Sequence, residues 1–599
     1  MSQGLHGIDI LGGTYNQWRG IMKAIPSVFS LDRGILKRGK CRNHSFWMIL
    51  TVFFVLSFDA RAQTTDWKWV VGAGGERLDE ATGITLDQDD NIYISGSFRN
   101  TGTFGDTSIV YEGTGSHLFI SKLDKDGNWL WVRGAESSGI YTSTVKADNN
   151  GNLYVAGAFF RDIIINDTIH TGPPDLGYNS IVAKLDTDGN WVWTRKIIGE
   201  SNRQITDLAL DQSGNIYVTG MATGGLWFGD IEISAGTQNI FVAKLDQDGN
   251  WLWARVAYGD GAPFSRGIVV DNQGNSYIAG QFIRKLTLGA ITLEPDDNNQ
   301  RAFLAKLDHD GNWVWAASNE GTGTSEARGI ALEGDEHVYV TGTFAGDAVF
   351  GSHELHTASG LNNNIFIAKT DSSGNWLWVE KAGAGGNRNF GLDVFVSEES
   401  NVFLTGFFHQ NNSTFGPFSL DAVGARETIF AAKLDEDGNW LWADRAGGTL
   451  DNNHGIRMIV DGNENIYLTG RAGRNASFGD HVLPGFGNAS IFLAKMRVVD
   501  RETTAESTLE LPAVYKLSQN YPNPFNPSTT IDFSLPEAGM VTLTVHDILG
   551  RQIATLVSGE MNAGKHTFQW DSRGLSSGVY LYRLRAGNVL QTRKMQLVK

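Results

Sequence analysis

Apolar residues between about positions 66 and 496 come in short runs separated by Asp, Gly and Asn, and one order of runs recurs along the chain. A first run such as Gly329-Ile-Ala-Leu332 leads through a turn to a second, as in Asn215-Ile-Tyr-Val-Thr-Gly220. A third, Ile240-Phe-Val-Ala-Lys-Leu245, enters Asp-x-Asp-Gly-Asn and emerges as the fourth, Trp251-Leu-Trp-Ala-Arg255. Runs of this length, rich in β-branched and aromatic residues and bounded by turn formers, predict strands. In the fourth, the two Trp share one face while Leu252 and Ala254 take the other, so both faces are apolar, as in a sheet packed between two neighbours.

Trp-x-Trp sets the period. It occurs at Trp67/Trp69, Trp129/Trp131, Trp191/Trp193, Trp251/Trp253, Trp313/Trp315, Trp376/Trp378 and Trp440/Trp442, with spacings of 62, 62, 60, 62, 63 and 64 residues. A fixed period of this size marks a repeat architecture, and four strands per repeat, A to D, predict the blade of a β-propeller. The region opens with a lone strand D at Trp67 and closes with a strand C, Ile491-Phe-Leu-Ala-Lys-Met496, that has no Trp-x-Trp after it. That offset predicts seven blades, the N-terminal strand completing the last one and hiding two sheet edges.

The repeat resembles the bacterial propeller repeat called SBBP and, more distantly, NHL-type blades: Asp-x-x-Gly-Asn-x-Tyr-x-x-Gly, then Phe-x-Ala-Lys-Leu-Asp-x-x-Gly-Asn-x-x-Trp. Such a resemblance implies architecture and leaves activity open, because function resides in sites carried by a fold. Between strands B and C each unit inserts a stretch, often containing Phe-Gly, as at Phe228-Gly-Asp230, whose alternation predicts a small extra hairpin. The long, varied B–C and D–A connections share one face, and a ligand site is expected there. Trp227, off register from the paired tryptophans, and its neighbour Phe228 are the candidate contacts.

Residues 45–58 form an apolar run preceded by five basic residues between Arg33 and Arg42 and followed by Ala60-Arg61-Ala62. This is the pattern of a secretory signal cleaved after Ala62. A run of 14 residues falls short of the roughly 20 that span a bilayer, so no transmembrane anchor is expected. The long stretch ahead of it points to a translation start at Met22 or later, and Cys41, the single cysteine, precedes the run, where it cannot serve as a lipidation site. Without residues 1–62 the chain carries 41 basic and 63 acidic residues, or −22, and no disulfide. Its surface field repels phosphate backbones, which excludes nucleic acid as a partner.

A polar linker is expected at 497–516. After it, alternating runs from Thr530-Ile-Asp-Phe-Ser534 to Arg593-Lys-Met-Gln-Leu-Val598 predict a small Ig-like β-sandwich over 517–599. These residues resemble the type A C-terminal sorting domain of the type IX secretion system of Bacteroidetes-like bacteria. The matching words are Tyr521, Pro522, Asn523, Pro524, Phe525, Asn526 and Pro527, then His546-Asp-Ile-Leu-Gly550-Arg551, and Leu575-Ser-Ser-Gly578-Val-Tyr580. The resemblance implies handling by the type IX machinery and delivery to the cell surface or medium. The proline-rich word itself reads as a stiff extended segment.

Candidate chemistry is sparse. The Asp-x-Asp-Gly-Asn turns (Asp124, Asp186, Asp246, Asp308, Asp435) lack the twelve-residue calcium loop, and as hairpin turns they need no metal. They are similar to the sialidase Asp-box, but that enzyme class also needs arginines and a Tyr/Glu pair at the ring centre, whereas Arg133, Arg195 and Arg255 lie on outer strands and are expected to cap tryptophans. There is no His-Glu-x-x-His. No metal, cofactor or catalytic residue is expected. The sequence therefore reads as a monomeric, secreted or cell-surface β-propeller binding protein for an extracellular glycan or protein. A glycosidase or lyase at the ring centre and a structural surface component are the alternatives.

Overall fold

A computed structural model describes residues 63–500 and 515–598, apart from 76, 113–114, 173–176, 235, 237, 358–361, 384–387, 410, 425, 450–452, 485–489, 521, 562 and 588. The signal run, Cys41, the cleavage point at Ala62, most of the linker and Tyr521 lie outside the described residues. Every regular element among the described residues is a strand, and none is a helix long and apolar enough to cross a membrane.

The repeat folds as the pattern predicts. In the first unit, strands A to D are Glu80–Leu86, Ile92–Arg99, Ser116–Leu123 and Trp129–Ser137, joined in antiparallel order. The same meander recurs through the chain, giving sheets of four or six strands. In the last unit, A, B and C are His454–Val460, Asn465–Ala472 and Ser490–Asp500, and D is the N-terminal strand Gln63–Gly74. That strand pairs from Gln63↔Asp500 to Ala73↔Ile491, so strand C continues four residues beyond Met496 into the expected linker. Each strand A packs beside the strand A of the next unit, and the last, His454–Val460, packs beside the first, Glu80–Leu86.

The B–C insertions are hairpins, but they are not free loops. Each pairs with strand D of the preceding unit: Phe104 with Ala73, Ile163 with Ser137, Trp227 with Ile198, Leu288 with Ala257 and Phe415 with Ala382. Glu320↔Val349 and Gly447↔Ser477 make the equivalent contact as single bridges. Strand D would otherwise be an exposed edge, and the hairpin covers it.

The Trp-x-Trp pair performs two separate tasks. The first Trp staples the hairpin of its own unit: Trp251 meets Phe228 edge-on at 4.9 Å, Trp376 meets Phe350 at 4.9 Å and Trp67 meets Phe478 at 5.2 Å. The second Trp straps the C–D turn of the following unit. Trp253 donates its indole N–H to the His309 carbonyl at 3.1 Å and lies flat on Gly311, where a Cβ would come within 2.8 Å of the ring. Gly311 also has φ +82°, so close approach and backbone conformation both require glycine. Arg255 lies over the Trp253 ring at 5.7 Å and donates to the Asp310 carbonyl, and Arg133 and Arg195 repeat this against Asp188 and Asp248, which is the capping role expected of them.

Strands Lys516–Leu517, Ser528–Leu535 and Gly564–Asp571 form one antiparallel sheet near the C-terminus, and Gly539–His546, Gln552–Met561, Gly578–Ala586 and Val589–Leu597 another. The two share one apolar core that includes Leu517, Phe525, Trp570 and Tyr582. The proline-rich word is folded into this core rather than extended. Phe525 is buried, its N–H donates to the Gln596 carbonyl, and its own carbonyl accepts from Val598 N–H. Asn520 donates to the Pro522 carbonyl and the Thr529 hydroxyl, and Pro527 accepts from Ser572. Exposed Phe525 would cost the burial of its ring, about 1.5–3 kcal/mol, which outweighs the preference of prolines for an extended course.

Candidate functional site

The strands A carry a device that the apolar pattern conceals. Each contains a β-bulge, so that one residue is skipped in the pairing with strand B: Thr82, Tyr141, Thr206, Arg266, Arg328, Leu392 and Ile456. A bulge re-aims a side chain that alternation would have sent elsewhere. All seven skipped residues line one cavity of about 370 Å³, together with Phe264, Arg388, Phe390, Phe407, His454 and Arg457. It lies toward the beginnings of the A strands, where the D–A connections enter, which is the face expected to bind.

A second cavity of about 240 Å³ lies farther along the same strands and shares Arg328 and Arg457 with the first. A polar layer crosses it. Arg457 reaches Asp393 of the preceding unit at 3.4 Å and Asp207, from a unit across the axis, at 4.0 Å. Asp207 also accepts from the Thr144 hydroxyl and Ile268 N–H, and Asp393 from Met458 N–H. Burial pushes the Asp393 carboxyl up, with Arg457 opposing it; burial alone would lower Arg457, but Asp393 and Asp207 raise it. These groups are used in holding the units together.

The outer cavity is different in its charge. Glu326 is buried and accepts from both Arg266, at 2.7 Å, and Arg328, at 3.0 Å, so two guanidiniums share one carboxylate. Arg388 pairs with the buried Glu427 at 2.8 Å. Arg266 lies over Phe264 at 4.3 Å and Arg328 over Phe390 at 4.9 Å. His454 stacks parallel on Phe407 at 4.0 Å; burial, with Arg471, Arg388 and Arg328 nearby, holds it well below the usual histidine range, so it is neutral at pH 7. The cavity thus presents Arg266, Arg328 and Arg388 beside aromatic walls, with Glu326 and Glu427 as their two carboxylate partners.

The candidates read from the sequence fall elsewhere. Phe228 is fully buried against Trp251 and Phe241 and offers no surface to a ligand, because Leu226 and Phe228 point into the core while Trp227 alternates outward. Trp227 is half-buried in the fifth strand from the axis, about 19 Å outward at the usual strand spacing. In the C-terminal region, Gly550 closes the Asp547 turn with φ +80°, Gly578 begins a strand, and Tyr580 is buried with its hydroxyl donating to the Ser576 carbonyl. Phe525 is buried, while Pro522, Asn523, Pro524 and Asn526 surround it on the surface. The Asp-x-Asp-Gly carboxylates are already used locally: Asp124 accepts from Asp126 N–H, Asn128 N–H and the Asn128 amide.

An all-β repeat chain with a C-terminal pair of sheets around one core is the class these features define. Residues 519–598 match the secretion system C-terminal sorting domain, and residues 192–226 match the SBBP beta-propeller repeat. The chain therefore carries a β-propeller repeat and a type IX sorting domain, and the latter marks it for secretion to the cell surface or the extracellular space. A WD repeat-containing protein of Acanthamoeba polyphaga mimivirus, L264, itself uncharacterized, is 23% identical over 67% of this chain. The chain spans 36% of that relative's length. Among solved structures, PorZ, a surface component of the type-IX secretion system of Porphyromonas gingivalis, aligns at 10% identity over 88% of this chain and 100% of its own, with a TM-score of 0.15. A Synechocystis ACO mutant aligns at 9% over 68% and 88%, with a TM-score of 0.31.

Proposed function

We propose that this chain is a monomeric, seven-bladed β-propeller with a C-terminal Ig-like sorting sandwich, acting outside the cell as a binding module rather than an enzyme. Seven meanders whose A strands follow one another and return to the first support the blade count. The observation that carries the binding role is that all seven bulge residues line a single cavity on the axis. The ligand, a glycan or a protein, enters there and not along the B–C hairpins.

One observation favours the alternative of a hydrolase or lyase at the ring centre: arginines, Tyr141 and Glu326 do converge on the axis. Against it, each nearby carboxylate is held by arginine, Glu326 by Arg266 and Arg328, Glu427 by Arg388, and Asp393 by Arg457. None is free to serve as a general acid or base. The experiment is glycan-array and pull-down binding by the full exported chain, repeated with Phe390→Ala and Tyr141→Ala on the axis and Trp227→Ala on the rim. Binding lost only with the axial variants is expected; binding indifferent to them overturns the axial assignment, and turnover of a captured glycan overturns the non-enzymatic one.

A further inference from the structure

We infer that the axial cavity recognises an acidic sugar unit of a glycan, its carboxylate or sulfate held between Arg266, Arg328 and Arg388. The inference rests on the axial binding site proposed above and names its ligand chemistry. The chain as a whole carries a formal charge of −17, so three arginines gathered at one recess with two carboxylates run against its general character. Arg266 and Arg328 divide a single carboxylate, Glu326, between them. The buried Arg328 Nε has no hydrogen-bond partner, nor has the buried His454 Nε2. A buried guanidinium donor left unpaired is costly, and an anion within its reach forms the stronger, charge-assisted class of hydrogen bond. Burial and the neighbouring Arg266 both press the Arg328 pKa downward against Glu326, the direction that a bound anion reverses.

The walls distinguish a sugar from a protein partner. The guanidiniums rest on Phe264 and Phe390, leaving an aromatic and aliphatic surface beside the charged groups, and the Tyr141 side chain adds a hydroxyl. The recess, about 370 Å³, falls at the small end of small-ligand pockets, about 300–1,000 Å³. A stable protein interface would require about 1,000 Å² or more of buried surface, which a recess of this kind does not offer by itself. Carbohydrate rings combine an apolar face with hydroxyls, and the acidic substituent supplies the partner that the Arg328 Nε lacks.

The test is calorimetric titration of the full exported chain with galacturonate, galactose 6-sulfate, neutral galactose and an Asp/Glu-rich peptide. Binding of either acidic sugar but not galactose, weakening as salt rises, is expected. Arg328→Gln and, as a milder change at a half-exposed position, Arg388→Gln should each lower affinity at least tenfold while circular dichroism and the melting temperature show the fold retained. Preference between the two acidic sugars identifies the group held. If galactose or the peptide binds instead, with affinity lost in Phe390→Ala, the axial site stands and the acidic-sugar inference falls. If an acidic sugar binds with affinity and salt dependence unchanged in both arginine variants, the axial placement itself falls. No binding by any of the four probes overturns the inference.

Discussion

The N-terminal strand joins the two ends of the repeat region, and Trp67 is its main anchor. Its side chain is 5% exposed, meets Phe478 edge-on at 5.2 Å, covers Gly479 and donates its indole N–H to Asp444 at 2.9 Å. Truncating a buried Trp to Ala costs about 3–5 kcal/mol. The lost indole bond adds little, because Asp444 keeps Thr65 as a donor and remains reachable by water. Trp67→Ala should therefore cost about 4 kcal/mol, a large part of the 5–15 kcal/mol typical of a folded domain. Trp376→Ala is the control: Trp376 meets Phe350 at 4.9 Å and covers Gly351 in the same way, but its strand is continuous with the chain on both sides. Both variants should lower the urea midpoint. Only Trp67→Ala should accelerate amide exchange along Gln63–Gly74 and Ser490–Asp500 and promote self-association through the uncovered edge. Equal protection of these two segments in both variants would refute the view that this strand is the seam.

Further outcomes are expected. Gly311→Ala, which places a Cβ 2.8 Å from the Trp253 indole at φ +82°, should destabilise by about 1–3 kcal/mol in urea unfolding, whereas Gly462→Ala, with nothing within 4 Å, should be near neutral. His454 is held below its unfolded pKa of about 6.5, so its contribution is full above that pH and is lost on acidification, at up to about 1.4 kcal/mol per pH unit; His454→Gln should remove this component, and an unchanged pH profile would count against it. Trp227→Ala should leave ligand binding intact, and a loss of affinity would return the site to the rim. Removal of residues 517–599 should retain the chain in the periplasm, detected by cell fractionation, and normal export would refute the sorting role.

Much of the architecture was legible because it is periodic. Trp-x-Trp and the Gly of each C–D turn recur seven times or close to it, and a repeated constraint leaves a repeated word; the offset between first and last strands occurs once but is read against that period. The axial cavity was hidden for the opposite reason. A bulge breaks the alternation by one residue, and Thr82, Tyr141, Thr206, Arg266, Arg328, Leu392 and Ile456 share a position without sharing a chemistry. The available signal was the polar residue placed just before the apolar run of strand A, clearest in Arg266-Gly267 and Arg328-Gly329. Trp227 stands off register from the paired tryptophans. Its strand, however, alternates buried Leu226 and Phe228 around it, and its backbone pairs with Ile198, neither of which is visible within a single repeat.

The closing ladder also has a mechanical direction. It is antiparallel, and Gln63 and Asp500 sit opposite each other at the same end. The two strand ends, at Gln63 and Asp500, therefore lie together. A pull between them does not shear the ladder with all its hydrogen bonds loaded together; it peels the strands apart one pair at a time, the weaker geometry. Tension applied between Gln63 and Asp500 would open this joint like a clasp, whereas in the other repeats strand D follows strand C in continuous chain and is not loaded in this way.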